Sequence, residues 1–217
     1  MIPILFQSQH FVVLNKPAGL PVHPGPSGGA SVEDSFPMLS RRRDGPWLVH
    51  RLDADTAGCL VVALRKQALL AAQAAFAAGS ARKTYWAVVH GIPMAASGEV
   101  SNRLQKRSTP AGWRMEPGPD GVPARTGWRL MGGAGDLAWL ELQPWTGRTH
   151  QIRVHCAALG HPIVGDPIYG RGDEPMQLLA RAIDLPLVPP IAATAPPPPH
   201  MRPALLACGW PGGDAGG

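Results

Sequence analysis

Two short segments carry acids, bases and hydrogen-bonding side chains at a density that a packed core would not tolerate without pairing. The first is His50-Arg51-Leu52-Asp53-Ala54-Asp55-Thr56-Ala57-Gly58, directly ahead of the apolar run Cys59 to Ala63. The second is Thr146-Gly147-Arg148-Thr149-His150-Gln151-Ile152-Arg153-Val154-His155. Both fall in connections, where binding and catalytic groups concentrate. Asp53 and Asp55 have the spacing of turn or cap residues, of metal ligands, or of a nucleophile or base with a neighbour. A metal site would want more carboxylates close by, and the sequence offers none there. A nucleophile or base wants a cation that keeps it ionised in a partly dry pocket. Arg148 and Arg153 are both available for that, and spacing alone does not choose between them.

His150, His155 and His161 are spaced like a loose metal-ligand set. On one helix, however, residues i and i+5 do not share a face, and the chain has no HExxH or CxxC pattern. The plainer reading has these imidazoles bonded to backbone groups or to RNA phosphates, or filling space. Cys156 reads as a small apolar packer, and His90 as a strand-end residue. Tyr85 is one of two tyrosines, with Tyr169. In KTYWAVV it alternates with Trp86, so the two rings face opposite sides of a strand. Tyr85 is either a core aromatic or a ring that stacks on a base. Most of the basic residues are solvated surface, and Arg103, Lys106 and Arg107 form the more credible phosphate-contacting patch.

The elements that must position these groups are strands and single helices. Phe11 to Leu14 is a β-rich run, followed by a turning path through Pro17, Gly19, Pro21 and Pro24. Ser27 to Ala30 reads as a loop, and Ser31 to Leu39 as a short helix. Arg41, Arg42 and Arg43 are a compact basic run. Cys59 to Ala63 reads as a buried strand, and Lys66 to Ala78 as a helix closed by Gly79. Thr84 to Val89 and Leu137 to Leu142 read as strands, with Ile152 to Leu159 a helix ending at Gly160. Positions 97 to 127 are polar and glycine-rich, with short strand-like pieces. Beyond Leu185 the pattern degrades into PPIAATAPPPPHMRP, read as a polyproline-like tail without helix. One folded domain over 1–186 and a loosely ordered proline- and glycine-rich tail over 187–217 are expected. Strands dispersed between single helices, without a regular βαβ beat, predict an α+β fold with a largely antiparallel sheet.

Composition narrows the classes. The 217 residues are 45% hydrophobic and 16% charged, against about 25% charged in an average domain. Lys and Arg number 20 against 15 Asp and Glu, a formal net charge of +5, which permits a polyanionic partner. No window approaches the roughly 18 apolar residues of a membrane span; the longest candidate, Ala68 to Ala78, is short and broken by Gln73. The opening MIPILFQSQH lacks the basic start and small-residue cleavage site of a signal peptide. Cys59, Cys156 and Cys208 are odd in number and widely spaced, as reduced thiols are. A cytoplasmic protein is expected.

VVLNKPAGLPVHPG, VHRLDADTAGCLVVA, KTYWAVVHG and LQPWTGRTHQIRVHCAALGHPIVGDPIYG occur in the order and spacing of the RluA-type pseudouridine synthases, which the chain resembles from Phe11 to Gly170. HRLD together with GRTHQIRVH is a highly specific combination. The resemblance implies an isomerase that converts uridine to pseudouridine within tRNA or rRNA, without cofactor or metal. Its implied fold is α+β: a bent, mainly antiparallel mixed sheet with flanking helices and a central active-site cleft. By the same resemblance Asp53 is the catalytic carboxylate, Arg153 its ion-pair partner, and Tyr85 the ring against the target base. Arg51 fills the gap left by the extruded nucleotide. His50, Lys83, Arg148, Thr149 and His150 shape the pocket or hold RNA. The implied partner is a structured RNA stem-loop, with no membrane and no obligate protein partner.

Three positions depart from the family pattern. Ala54 follows the aspartate where arginine is common, Ala57 replaces the serine of DTSG, and Leu178-Leu179-Ala180 lacks the histidine of LHA. None removes an implied catalytic group. The pattern begins by Phe11, so an N-terminal RNA-binding domain is not expected and the basic surface must find the RNA. Two other readings compete: a non-catalytic RNA-binding module on the same fold, and a metal-dependent hydrolase using His150, His155 and His161.

Overall fold

Runs of Val, Leu and Ala with almost no polar break form strands buried on both faces, and they organise the first part of the chain. β1 (Ile4–Gln7) pairs antiparallel with β2 (Phe11–Lys16). Both β2 and β3 (Trp47–Leu48) pair antiparallel with β4 (Ala57–Ala63), every residue of which is buried. Between them, a 3-10 turn (Val32–Ser35) leads into α1 (Phe36–Leu39). α2 (Lys66–Ala77) follows β4, buries Ala68 and Ala72, and ends at Gly79, whose φ of +69° suits a helix terminus.

β5 (Arg82–His90), β6 (Ser97–Thr109), β7 (Gly112–Pro117), β8 (Val122–Ala134) and β9 (Leu137–Pro144) come next, followed by α3 (Gln151–Ala158). The strands are ordered β5-β9-β8-β6-β7, all antiparallel. Ala87, Val89, Leu140, Leu142, Ile152, Cys156 and Ile163 cluster in the core of this part. β10 (Leu178–Leu185) then pairs parallel with β4 and antiparallel with β11 (Ile191–Thr194). Gly58 makes that parallel pairing possible. Its φ is +110°, and a Cβ there would overlap the Ala180 carbonyl oxygen. The last helix is α4 (Arg202–Ala207). The fold is α+β with a mixed, mainly antiparallel sheet, as expected.

The structure, a computed structural model, describes residues 1–25, 28–41, 44–110 and 112–213. Ser27 of the expected loop, Arg42 and Arg43 of the basic run, and 214–217 of the expected tail lie outside the described residues. The chain divides into two compact units. One holds Met1–Lys83 and Leu179–Pro198; the other holds Thr84–Leu178 and the residues from Pro199.

Two stretches differ from the sequence reading. Positions 97 to 127 were expected to hold short strand-like pieces, yet β6 and β8 each run 13 residues. Their apolar pattern is weak because cross-strand charge pairs line an exposed face, among them Arg129–Glu141 and Arg107–Glu116. The expected loose tail is also built into the fold. Ile191, Ala193 and Ala195 alternate inward from β11, and Met201, Leu205, Cys208 and Trp210 are buried. Pro203 sits in the first turn of α4, where a missing N–H costs nothing, so proline density does not exclude that helix.

Leu205 is fully buried. Leu205→Ala should therefore cost about 2–5 kcal/mol in equilibrium urea unfolding. No measurable loss would show that α4 adds nothing to the core.

Candidate active site

β3 and β4 part after the Leu48–Val62 pair, and residues 49–56 turn between them. His50 anchors the start of this turn. Its Nε2 accepts the Val61 N–H at 3.1 Å, and its ring stacks on Phe76 of α2 at 5.2 Å. Burial, and then the Lys83 charge, lower its pKa to about 4. His50 therefore acts here as a neutral fastener of the loop. Arg51 is exposed, Leu52 is buried, and Asp53 is half-buried. The Thr56 N–H donates to the Asp53 carbonyl at 3.1 Å and closes the turn. Lys83, half-buried at the start of β5, has its pKa lowered by burial.

Lys16 holds this turn from beneath. It is fully buried. Its ammonium donates to the carbonyls of Pro17 at 2.8 Å, Leu20 at 2.7 Å and Ala54 at 2.6 Å. The Ala54 carbonyl also accepts the Gly19 N–H at 2.9 Å. One cation thus ties the NKPAGL turn to the residue after Asp53. Position 54 contributes its backbone to that tie, so an alanine side chain serves there. Burial lowers the Lys16 pKa to about 8, against the opposing charges of Asp55 and Asp53.

In the second unit, Tyr85 lies opposite Leu142 and packs against the core beside Ala87 and Val89. Trp86 faces the other way, against Trp139 at 4.7 Å, and its Nε1 donates to Glu141 at 3.3 Å. Gln151 organises the turn into α3. Its Oε1 accepts the Thr146 hydroxyl at 2.6 Å and the Arg148 N–H at 3.0 Å, and its Nε2 donates to the Arg125 carbonyl and to Thr126. Arg148 is exposed and donates from Nε to the Pro123 carbonyl at 3.1 Å; Thr149 is exposed.

His150 has φ 53° and ψ 16°, the only non-glycine residue with positive φ among the described residues. A side chain held there costs of order 1 kcal/mol, a strain that gathers at functional sites. Its ring stacks on Trp113 at 5.0 Å, and its Nδ1 lies 3.0 Å from the Tyr169 hydroxyl. Tyr169 in turn accepts the Met115 N–H at 2.9 Å.

Arg153 is buried in a two-pronged ion pair with Asp166, Nε to Oδ2 at 2.7 Å and Nη2 to Oδ1 at 2.8 Å. Its guanidinium lies 5.3 Å from the Tyr169 ring centre. His155 is fully buried between Thr126 Oγ1 at 2.8 Å and Asn102 Oδ1 at 3.0 Å, and burial lowers its pKa to about 4. His161 meets the His90 carbonyl at 2.9 Å. The three histidines of the loose metal pattern therefore engage three different partners. In the basic patch, Lys106 lies over Trp113, Arg103 bonds the Pro119 carbonyl and Arg107 pairs with Glu116.

A family model described as RNA pseudouridylate synthase matches residues 10–158. The chain belongs to that family. An uncharacterized RNA pseudouridine synthase of Zymomonas mobilis is 37% identical over 204 residues, 90% of this chain and 93% of the relative. The ribosomal large subunit pseudouridine synthase D of Xylella fastidiosa is 41% identical over 175 residues. The corresponding synthase C of Vibrio cholerae is 36% identical over 167. These two matches take in 78% and 77% of this chain, and 52% of each relative's length. Among solved structures, Human RNA Pseudouridylate Synthase Domain Containing 4 superposes with a TM-score of 0.80 at 27% identity, over 94% of this chain and 92% of that one. Its Domain Containing 1 counterpart gives 0.76 at 31% identity, over 90% and 83%. The RluA-type resemblance holds, and the synthase is an RNA-modifying isomerase.

Sequence reasoning missed Lys16, Asp166, Gln151 and Trp113 as organisers of the synthase's loops. Lys16 and Asp166 sit in NKPAG and GDPIYG, and a lone charge among turn residues and apolar neighbours was the available signal.

The two neutral imidazoles, His155 buried and His50 half-buried, set a pH limit. Unfolded histidine titrates near 6.5, whereas His50 and His155 stay neutral in the fold down to about pH 4. The unfolded chain binds more protons between those values, so their stabilisation is complete above pH 6.5 and is lost as pH falls toward 4. Urea titrations should show a loss of about 3 kcal/mol per imidazole over that window. His155→Gln should flatten the profile, and an unchanged slope would refute the assignment. Separately, Lys16→Met leaves three carbonyls without their donor and should lower stability by about 3–5 kcal/mol, read by the same unfolding method.

Proposed function

We propose that the synthase isomerises specific uridines in structured RNA, with Asp53 as the catalytic carboxylate acting on a flipped-out nucleotide. The feature that carries this reading is the HRLD turn: a half-buried carboxylate beside an exposed arginine, on backbone tied down by a buried lysine. Reacting groups need such fixed, partly dry settings. Two of the relatives are named as ribosomal large subunit synthases, which supports a large-subunit rRNA stem-loop as the target, with tRNA as the other RNA class to test. A cytoplasmic location is part of this proposal.

The reaction needs no net redox change. The bond from uracil N1 to the ribose C1′ breaks, the ring turns, and C5 bonds to C1′. C5 then loses its proton to a base, and N1 regains one from solvent. Asp53 serves by attacking C1′ or by taking the ribose 2′ proton, and either route requires it ionised. In this proposal Arg153 is the cation that keeps Asp53 ionised, and Tyr85 lies against the target base. Flipping costs a few kcal/mol, which Arg51 offsets by entering the vacated stack. Arg148, Thr149, His150 and Lys83 meet the backbone phosphates and pocket rim, while His50 acts indirectly by holding the loop.

Asp53→Asn keeps the size of the side chain and leaves the Thr56 N–H bond to the Asp53 carbonyl in place. It should leave urea unfolding unchanged while tritium release from RNA labelled at C5 of uridine falls to the uncatalysed background. Wild-type release from that variant would refute the proposal.

A further inference from the structure

We infer that Asp166 is the positioning residue for Arg153, fixing its guanidinium in place before substrate arrives and independently of Asp53. The inference rests on the reading that Arg153 serves Asp53 in the reaction.

The geometry is unusually closed. The Asp166 side chain is 0% exposed and that of Arg153 only 4%. Each Asp166 oxygen takes one prong of the guanidinium, at 2.7 and 2.8 Å. Oδ1 also accepts the N–H of Ile168 at 2.9 Å and of Tyr169 at 3.0 Å. The carboxylate is therefore oriented by backbone, and the arginine by the carboxylate. The Tyr169 ring lies beside the guanidinium and so limits its movement. Burial by itself would raise the Asp166 pKa. The Arg153 bonds and charge, with the two backbone N–H groups, outweigh burial and hold the carboxyl below its ordinary range.

Stability alone does not account for such a pair. Well-packed apolar residues commonly do as well or better in its place, because burying two charges costs nearly what their attraction returns. A two-pronged pair does supply angular precision, since a planar fork meeting a planar carboxylate has little freedom left. A lysine at 153 would give a charge without a fixed direction. The arginine that serves the reaction is thus half of a prebuilt unit whose carboxylate fixes its direction. The GDPIYG turn, some 13 residues beyond Arg153 in sequence, contributes to catalysis through this carboxylate without touching the substrate.

The test uses the full chain and [5-³H]uridine-labelled total RNA from cells lacking this protein, with enzyme in excess. Asp166→Asn, nearly the same shape, should slow single-turnover tritium release by about 100-fold, the usual penalty for a misplaced reacting group. The half-saturating RNA concentration should move less than about twofold, because this carboxylate contacts no RNA. In an Arg153→Met background the same change should cost nothing more, since the two act as one unit. A purely structural role would give the same fold-loss in both backgrounds and overturn the inference. A second measurement does not depend on that variant folding. The Arg153 Nε–H nuclear magnetic resonance signal, assigned by its loss in Arg153→Lys, should stay protected from exchange in both wild type and Asp53→Asn. Loss of protection in Asp53→Asn would show that Asp53 holds the arginine and would overturn the inference. Wild-type tritium release by Asp53→Asn overturns the catalytic reading itself, whereas an inactive Asp53→Asn with independent losses at 153 and 166 overturns this inference alone.

Discussion

A cation shut away from water must have its partners built around it, and Lys16 imposes that demand on the first unit. Its ammonium is fully buried and collects the carbonyls of Pro17, Leu20 and Ala54. An unmet bond there would cost a desolvation penalty of about 1–3 kcal/mol per group. The chain can avoid that penalty only if the NKPAGL turn and the HRLDAD turn close on the same point. The loop carrying Asp53 is thereby specified by a residue 38 positions away in sequence from the carbonyl it captures. His50 reinforces it from the other end, through Val61 and Phe76.

The second unit solves a related problem with Arg153 and Asp166. A bidentate pair in a dry setting leaves the guanidinium one orientation, and backbone N–H groups leave the carboxylate one as well. Around it, Gln151 satisfies both ends of the strand-to-helix turn, and His150 accepts a left-handed backbone to reach Tyr169 and Trp113. Polar groups in this region are arranged as a network in which each member fixes the next. Such networks are worth more as geometry than as net stability.

Departures from the family pattern fall where this physics tolerates them. Ala54 contributes a carbonyl, so its side chain is free to vary. Ala57 lies in a strand buried on both sides, where a methyl group packs without needing a hydrogen-bond partner. Leu178-Leu179-Ala180 opens β10 with apolar contacts and a parallel ladder to β4, so the missing histidine does not disturb the pairing.

Much was legible from residue order alone. The strands at Phe11, Cys59, Thr84 and Leu137, the helices at Lys66 and Ile152 and the α+β class follow from local pattern, because apolar period and turn chemistry are written within a few residues; the family was legible only through the resemblance of HRLD and GRTHQIRVH. Tyr85 and Trp86 diverge for the same reason, since alternation is a property of any strand. The long strands of 97 to 134 and the ordered segment from Ile191 were not legible. Their stability comes from cross-strand pairs and from burial against distant residues, while their composition locally favours loop or polyproline. The carbonyls that meet Lys16, the Asp166 carboxylate that meets Arg153 and the Thr126 and Asn102 partners of His155 were hidden too. A charge in sequence looks the same whether water or a carboxylate will meet it, and only the folded chain determines which.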